Sequence, residues 1–482
     1  MQELIDLALD AAQRAGAGYA DIRLVEQATE SLTVKNGTLA QASSDRSAGF
    51  GVRVLIDGAW GFAASSRVER NEVERTTREA VAIARASGLA TREPIVLDDS
   101  PPAVAEYLTP FREDPFAVPL DQKLRLLFDA DETMAKVAGV TLRTSSMEAS
   151  RERKTFASTE GARIEQELMN VGAGIEAMAT NDSEVQRRSY PQSAGGQHVS
   201  GGFEAIRDLD LAANAQRIAE EAVALVDAPQ CPSGTMTLII DSPQLALQVH
   251  ESCGHPSELD RVFGTEASYA GTSFLTTDKL DSGFRYGSDL VTIVADATAA
   301  GGMGTFGWDD EGVAAQAVPL VMNGIFSGYL SSRETAPRIG RRSGGAMRAD
   351  GWNRIPLIRM TNVNLLPVDG MSLDDIVADT DDGLYLAQCR SWSIDDRRLN
   401  FQFATEVAYE IKGGKRGRLL KNPTYTGITY ELWRSCDAIG DASSYQMLGT
   451  PNCGKGEPGQ IGHIGHAVSG ARFRDVQVGV LK

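Results

Sequence analysis

The chain is poor in the features that mark secretion, membranes and nucleic acids. Its five cysteines (Cys231, Cys253, Cys389, Cys436 and Cys453) are scattered and odd in number, without a Cys-x-x-Cys pair. That usage gives no disulfide framework and fits a reducing, cytoplasmic compartment. No run approaches the roughly 18 apolar residues of a membrane span. The first ten residues, MQELIDLALD, are acidic and amphipathic where a secretory leader would be basic and then apolar. Positive charge is also in deficit. Lys plus Arg number 47 against 65 Asp plus Glu, for a net charge of −18. Nucleic acids and anionic membranes need clustered positive charge, and the short run Arg338-Ile-Gly-Arg-Arg342 is too small to supply it. Neither is expected as a partner.

What is present describes a soluble globular protein, 42% hydrophobic and 23% charged, whose 482 residues exceed one ordinary core. Residues 2–15 carry a helical apolar period closed by Gly16. Short strands follow, in hairpins across Asn36-Gly37 and Asp57-Gly58, the preferred two-residue turns. Residues 68–87 read as an amphipathic helix, and the five prolines within 98–120 as an irregular connection. A helix at about 121–137 precedes strands at 140–146, 153–158 and 164–169, and residues 210–226 form a further helix. His198 lies in a glycine-rich loop, 189–202, and reads as solvent-facing. The second half is mostly strand and turn: 290–296, 318–322, 325–330, 356–364, 385–389, 401–411, 419–430 and 476–480. Glycine-dense 300–312 lacks the spacing of a dinucleotide or phosphate loop and reads as a tight loop against a sheet. The expected fold class is α+β: an N-terminal half (1–228) with an antiparallel sheet and helices, and a β-rich, sandwich- or barrel-like C-terminal half (229–482).

Two of only five histidines fall within six residues, in Ser242-Pro-Gln-Leu-Ala-Leu-Gln-Val-His-Glu-Ser-Cys-Gly-His-Pro256. A strand-like run, 237–241, feeds this stretch. Ser242 suits an N-cap and Pro243 the first helical turn. His250 and His255 are five apart, which on a regular α-helix sets them about 140° apart in azimuth. Both can face one ion only where the helix widens into a π-type turn or breaks near Cys253–Gly254, and glycine tolerates the left-handed conformation common past a helix end. A hydrolytic zinc site needs a third ligand and an open position. Glu258, Asp260, Glu266, Cys453, His463 and His466 are candidates. Lys455 would favour a Cys453 thiolate, and His463/His466 sit among glycines as a loop pair. Spacing leaves Cys453 and the histidine pair open.

His250-Glu-Ser-Cys-Gly-His-Pro-Ser-Glu-Leu-Asp260 resembles the signature of the TldD/PmbA metalloprotease family, on the TldD side. Asn452-Cys-Gly-Lys-Gly resembles the family's C-terminal cysteine motif, and Arg46–Val54 and Ser332-Arg-Glu-Thr-Ala also resemble family segments. The resemblance implies a zinc peptidase with His250, His255 and Cys453 as metal ligands and Glu251 as catalytic carboxylate. It further implies a dimer, either of identical chains or with a PmbA-type subunit, and small, unfolded or modified peptides as substrates. Glu251 would act as general base, with Glu258 or Asp260 orienting an imidazole. The competing readings are a non-catalytic assembly subunit and a structural metal site.

Overall fold

A computed structural model describes residues 1–193 and 195–479. Helix α1 (Gln2–Arg14) leads into strands β1 (Tyr19–Lys35), β2 (Thr38–Ile56) and β3 (Ala59–Ser65), then helix α2 (Arg70–Gly88). The two hairpin turns are where the sequence sets them: Asn36, Gly37, Asp57 and Gly58 all have positive φ, as a type I′ turn requires. The short strands expected around them are single long ones. Polar 26–31 has no apolar alternation, yet β1 pairs throughout with β2 and with β5 (Val140–Ser158), and two rows of backbone bonds hold it extended. Strand β4 (Val104–Leu108) interrupts the connection expected to be irregular, running parallel to β6 (Arg163–Thr180). The remaining pairs of this eight-stranded sheet, including β7 (Val185–Tyr190) and β8 (Gln197–Ser200) on β6, are antiparallel.

Two apolar clusters sit on this sheet. Helices α1 and α2 press Ile5, Leu9, Val73 and Ala80 onto Val52 and Val54. Helix α3 (Leu120–Ala135) and helix α4 (Leu211–Asp227) press Leu127, Met134 and Ile218 onto Val171 and Ile175. His198 is a correction: it is buried on β8, not exposed in a loop, with its ring against Gly172.

The C-terminal half contains a closed barrel. Strand β9 (Gly234–Ile240) is flanked by β10 (Asp382–Ile394) in parallel and by the last strand, Ala471–Val478. β10 pairs with β11 (Asn400–Lys412), β11 with β12 (Thr424–Ile428), and β12 with Ala471–Val478, so the ring closes. Its core holds Leu238, Ile240, Leu386, Phe403, Tyr425 and Phe473. The stretch 419–430 is not one strand, because Asn422 adopts positive φ before Pro423, which has no N–H to pair. Of the expected terminal strand 476–480, Val480 lies outside the described residues. The apparent loops around Cys453 and His463 form a hairpin, β13 (Gln446–Lys455) and β14 (Gln460–Val468). The last strand, Ala471–Val478, is β15.

Ion pairs join the halves. Arg53 Nη2 lies 2.7 Å from Asp21 and its Nη1 3.1 Å from Glu311, all three side chains buried. Lys154 Nζ lies 2.8 Å from Asp310. The glycine-dense loop is a tight turn, as expected, and Asp309 braces it by accepting from the Glu311, Val313 and Met347 N–H groups. Replacing Arg53 with Met strands two buried carboxylates. Chemical denaturation is expected to show a loss of about 3–5 kcal/mol, against less than about 1 kcal/mol for exposed Arg70→Met.

Candidate metal centre

Helix α5 (Ser242–Val249) follows β9 directly. Its N-cap is Asp241 rather than Ser242: the Asp241 carboxylate accepts from the Gln244 N–H at 2.9 Å. Leu245 and Val249 are fully buried and anchor it. The helix then widens into a π-turn over His250–Gly254 and tightens into a 3₁₀ turn over His255–Ser257. The His255 N–H donates to the His250 carbonyl, and this i→i+5 bond carries the two imidazoles to one side. Their ring centroids lie 4.8 Å apart. Gly254 is right-handed (φ −57°), not left-handed as the sequence suggested. Its role is space: a Cβ there would meet Met360 Sδ at 2.0 Å.

Cys453, on β13, completes a triad. One ligating atom each from His250, His255 and Cys453 lies within 4.8 Å of the others, and all three residues are buried. Hydrogen bonds fix the tautomers. His466 Nδ1 donates to the Val363 carbonyl at 2.8 Å, so its Nε2 accepts from His250 Nδ1, also at 2.8 Å. His255 Nδ1 donates to Glu258 Oε2 at 3.0 Å. Both Nε2 lone pairs are thus left for a cation, the arrangement found for ligating histidines. Burial, ahead of neighbouring charges, pushes His255 down to about 3 and His466 to about 4, and holds His250 well below the ordinary value, so the rings are neutral. Burial also lifts the Cys453 thiol to about 11, opposed by Arg359. A buried thiol beside two free imidazole nitrogens suits a soft or borderline cation such as zinc.

The other candidates have different tasks. Residues three apart on a strand face opposite sides. His466 therefore turns to His250, while His463 turns away to Asn170, 3.3 Å off. Lys455 does not serve the thiol; its Nζ binds Asp260 at 2.8 Å and the Ile358 carbonyl at 2.7 Å, and lies 3.4 Å from Glu258. Glu258 is fully buried, and Lys455, His255 and Arg261 together hold its carboxyl well below the usual range against the burial penalty. Glu266 accepts from the Gly456 N–H. Glu251 stands beside His250 but outside the triad, with Oε2 2.6 Å from Arg398 Nη1. Burial raises its carboxyl, and Arg398 opposes the rise. Sequence reading missed Arg398. In Asp395-Asp-Arg-Arg398 it looks like part of an exposed turn, but its backbone has φ 62°, its carbonyl accepts from Thr429 Oγ1, and its guanidinium turns inward.

Comparison with known proteins returns one family along the chain. Residues 20–84 match PmbA/TldA metallopeptidase domain 1, 113–226 the central domain, and 233–466 the C-terminal domain. A metalloprotease of Methanocaldococcus jannaschii is 31% identical over 426 residues, spanning 87% of this chain and 89% of that protein. One from Methanothermobacter thermautotrophicus is 31% identical over 461 residues, spanning 96% and 95%. Among solved structures, TldE from Thermococcus kodakarensis shares the fold at a TM-score of 0.74 and 16% identity, covering 99% of this chain and all of that one.

If His466 orients His250 without ligating, His466→Ala should keep one metal per chain at saturation. It should weaken affinity by about 10–100-fold, read by competition with a chromophoric chelator.

Proposed function

The chain belongs to the PmbA/TldD metallopeptidase family, and from that premise we propose a zinc-dependent peptidase with His250, His255 and Cys453 as ligands and Glu251 as general base. The observation that carries this reading is the separation of roles at one spot. Three donor atoms converge within 4.8 Å, while the adjacent carboxylate is held out of that set by Arg398. When bound, zinc supplies Lewis acidity, polarising the scissile carbonyl and making water more acidic. Glu251 takes the proton of the attacking water and delivers it to the leaving amine. The raised carboxyl of Glu251 suits both halves of that transfer. His466 and Glu258 keep the ligand lone pairs aimed inward, and the buried surroundings limit competing water.

The triad and Glu251 are each only 4–5% exposed. A folded protein cannot present a bond to such a site, so the substrates proposed are small, unfolded or modified peptides. The working form proposed is a cytoplasmic dimer, of identical chains or with a PmbA-type subunit, and residues 229–482 are proposed as the catalytic domain. No helix among the described residues is long and apolar enough to cross a membrane. The alternative, a non-catalytic assembly subunit with a structural metal, leaves an intact and separately held Glu251 without a task.

Glu251→Gln should lower cleavage of an unfolded peptide by at least about 10²-fold while zinc stays near one per chain; full activity would overturn the mechanism. Cys453→Ala should lower zinc content, and unchanged zinc would return the third-ligand role to another residue. Treatment with a chelator should abolish cleavage, and added zinc should restore it.

A further inference from the structure

Of the chain's 5 Trp, 11 Tyr and 15 Phe, only Tyr269 and Trp392 stand out in solvent, 58% and 54% exposed. Both lie on segments that meet at Arg398, the partner of buried Glu251. Trp392 is on β10, just past the slip in register with β11 between Cys389 and Ser391. Bulges of this kind re-aim side chains next to active sites. Trp392 is opposite Phe403, and Ile394 is opposite Phe401. Directly opposite residues share a face of the sheet, and Phe401 and Phe403 belong to the barrel core. Trp392 therefore extends the inner row at the barrel rim, and its indole N–H donates to the Glu251 carboxyl. Arg398, in the turn that follows β10, binds Oε2 of the same carboxyl.

Tyr269 comes from the other side. Arg398 Nη2 donates to the carbonyl of the next residue, Ala270, at 3.4 Å. The segment is stapled to the same turn: the Thr272 N–H donates to the Asp396 carbonyl and the Phe274 N–H to the Arg397 carbonyl, both at 2.9 Å. Gly271 permits this approach, since a Cβ there would sit 2.3 Å from the Asp396 carbonyl. Exposed aromatic rings around a few buried polar groups are the composition of a ligand site. We infer that Trp392 and Tyr269 form a subsite at the mouth of the metal centre, which takes an aromatic side chain of the peptide close to the scissile bond. Unfolded chains display the aromatic side chains that folded proteins bury, so the subsite selects the substrates that a buried centre can admit. The inference rests on the peptidase reading and adds a preference to it.

The test compares a polar, unstructured peptide carrying a single Phe with the same peptide carrying Ala in its place. The wild type should favour the Phe peptide in kcat/KM by about tenfold or more. Tyr269→Ala and Trp392→Ala should each reduce that ratio by about threefold or more. Trp392→Phe, which keeps a ring and drops the donor to Glu251, should retain it. Damage to the fold lowers both rates alike and leaves the ratio unmoved. A second readout needs no cleavage: on zinc-free protein, the Phe peptide should shift tryptophan emission to the blue, and the shift should be absent in Trp392→Phe. Cleavage without a Phe preference, or a preference that survives both alanine variants, would overturn the subsite and leave the peptidase standing. Failure to cleave either peptide would overturn the peptidase; an emission shift that Tyr269→Ala removes would still establish the aromatic site, and no shift would overturn that too. Sedimentation covers the other occupant, a second copy of this chain. A Tyr269→Ala variant that dimerises less well with its ratio unchanged would assign the rings to a subunit contact and overturn the subsite.

Discussion

The centre depends on one backbone irregularity, the π-turn from His250 to Gly254. Two histidines five apart on an α-helix diverge by about 140°, and no choice of rotamer brings both to one ion. The single i→i+5 bond from His255 to the His250 carbonyl removes the divergence. A π-turn costs regular hydrogen bonding and packing, so something must hold it. Anchors on both sides do so. Upstream, Leu245 and Val249 lock the helix into the barrel core. Within the turn, the Ser252 carbonyl accepts from Tyr286 and the Ser252 hydroxyl from the Trp433 indole N–H. Gly254 lets Met360 close against the turn where any side chain would keep it away.

The turn also sets the electrostatics. Consecutive residues His250 and Glu251 leave it in different directions, one towards Cys453 and the other towards Arg398. The two imidazoles, His250 and His255, each meet a chain of partners that ends in something neutralised. His250 leads through His466 to a backbone carbonyl, and His255 leads through Glu258 to Lys455 and Asp260. Buried charges are tolerable only when paired in this way. The pairing leaves one nitrogen each of His250 and His255 and the Cys453 thiol as the groups without a strong partner, and that inequality is what a cation site requires.

Legibility in the sequence followed range. The Asn36-Gly37 and Asp57-Gly58 hairpins, the helix periods and the break in the metal helix are local, and each appears where local rules put it. The hairpin β13–β14 does not, because glycine at 454, 456, 459, 462 and 465 reads as loop. Two of those glycines serve non-local contacts instead: a Cβ at Gly462 would meet Arg359, and one at Gly465 would meet Asn362. Spacing alone therefore could not choose between Cys453 and the histidine pair. A strand sends His463 and His466 to opposite faces, while a loop would have allowed both at the metal. Arg398 was hidden for the same reason, since its partner lies 147 residues away.

The same hairpin ties the candidate metal centre to a half of the protein that contributes none of its three residues. Its inner face carries Cys453 and His466, and its outer face rests on the N-terminal sheet. Gln192 donates to the Gly449 carbonyl at 2.8 Å, Gln197 donates to the Met447 carbonyl, and Asn170 meets His463. Gly449 lies so close to β8 that a Cβ would sit 2.1 Å from the His198 carbonyl. Cys453 is thus held between the helix that carries His250 and His255 and a sheet built from residues 19–200. Close-packed interiors transmit displacement rather than absorb it. The position of the sulfur is accordingly fixed by how the two halves dock, as well as by the strand on which it sits.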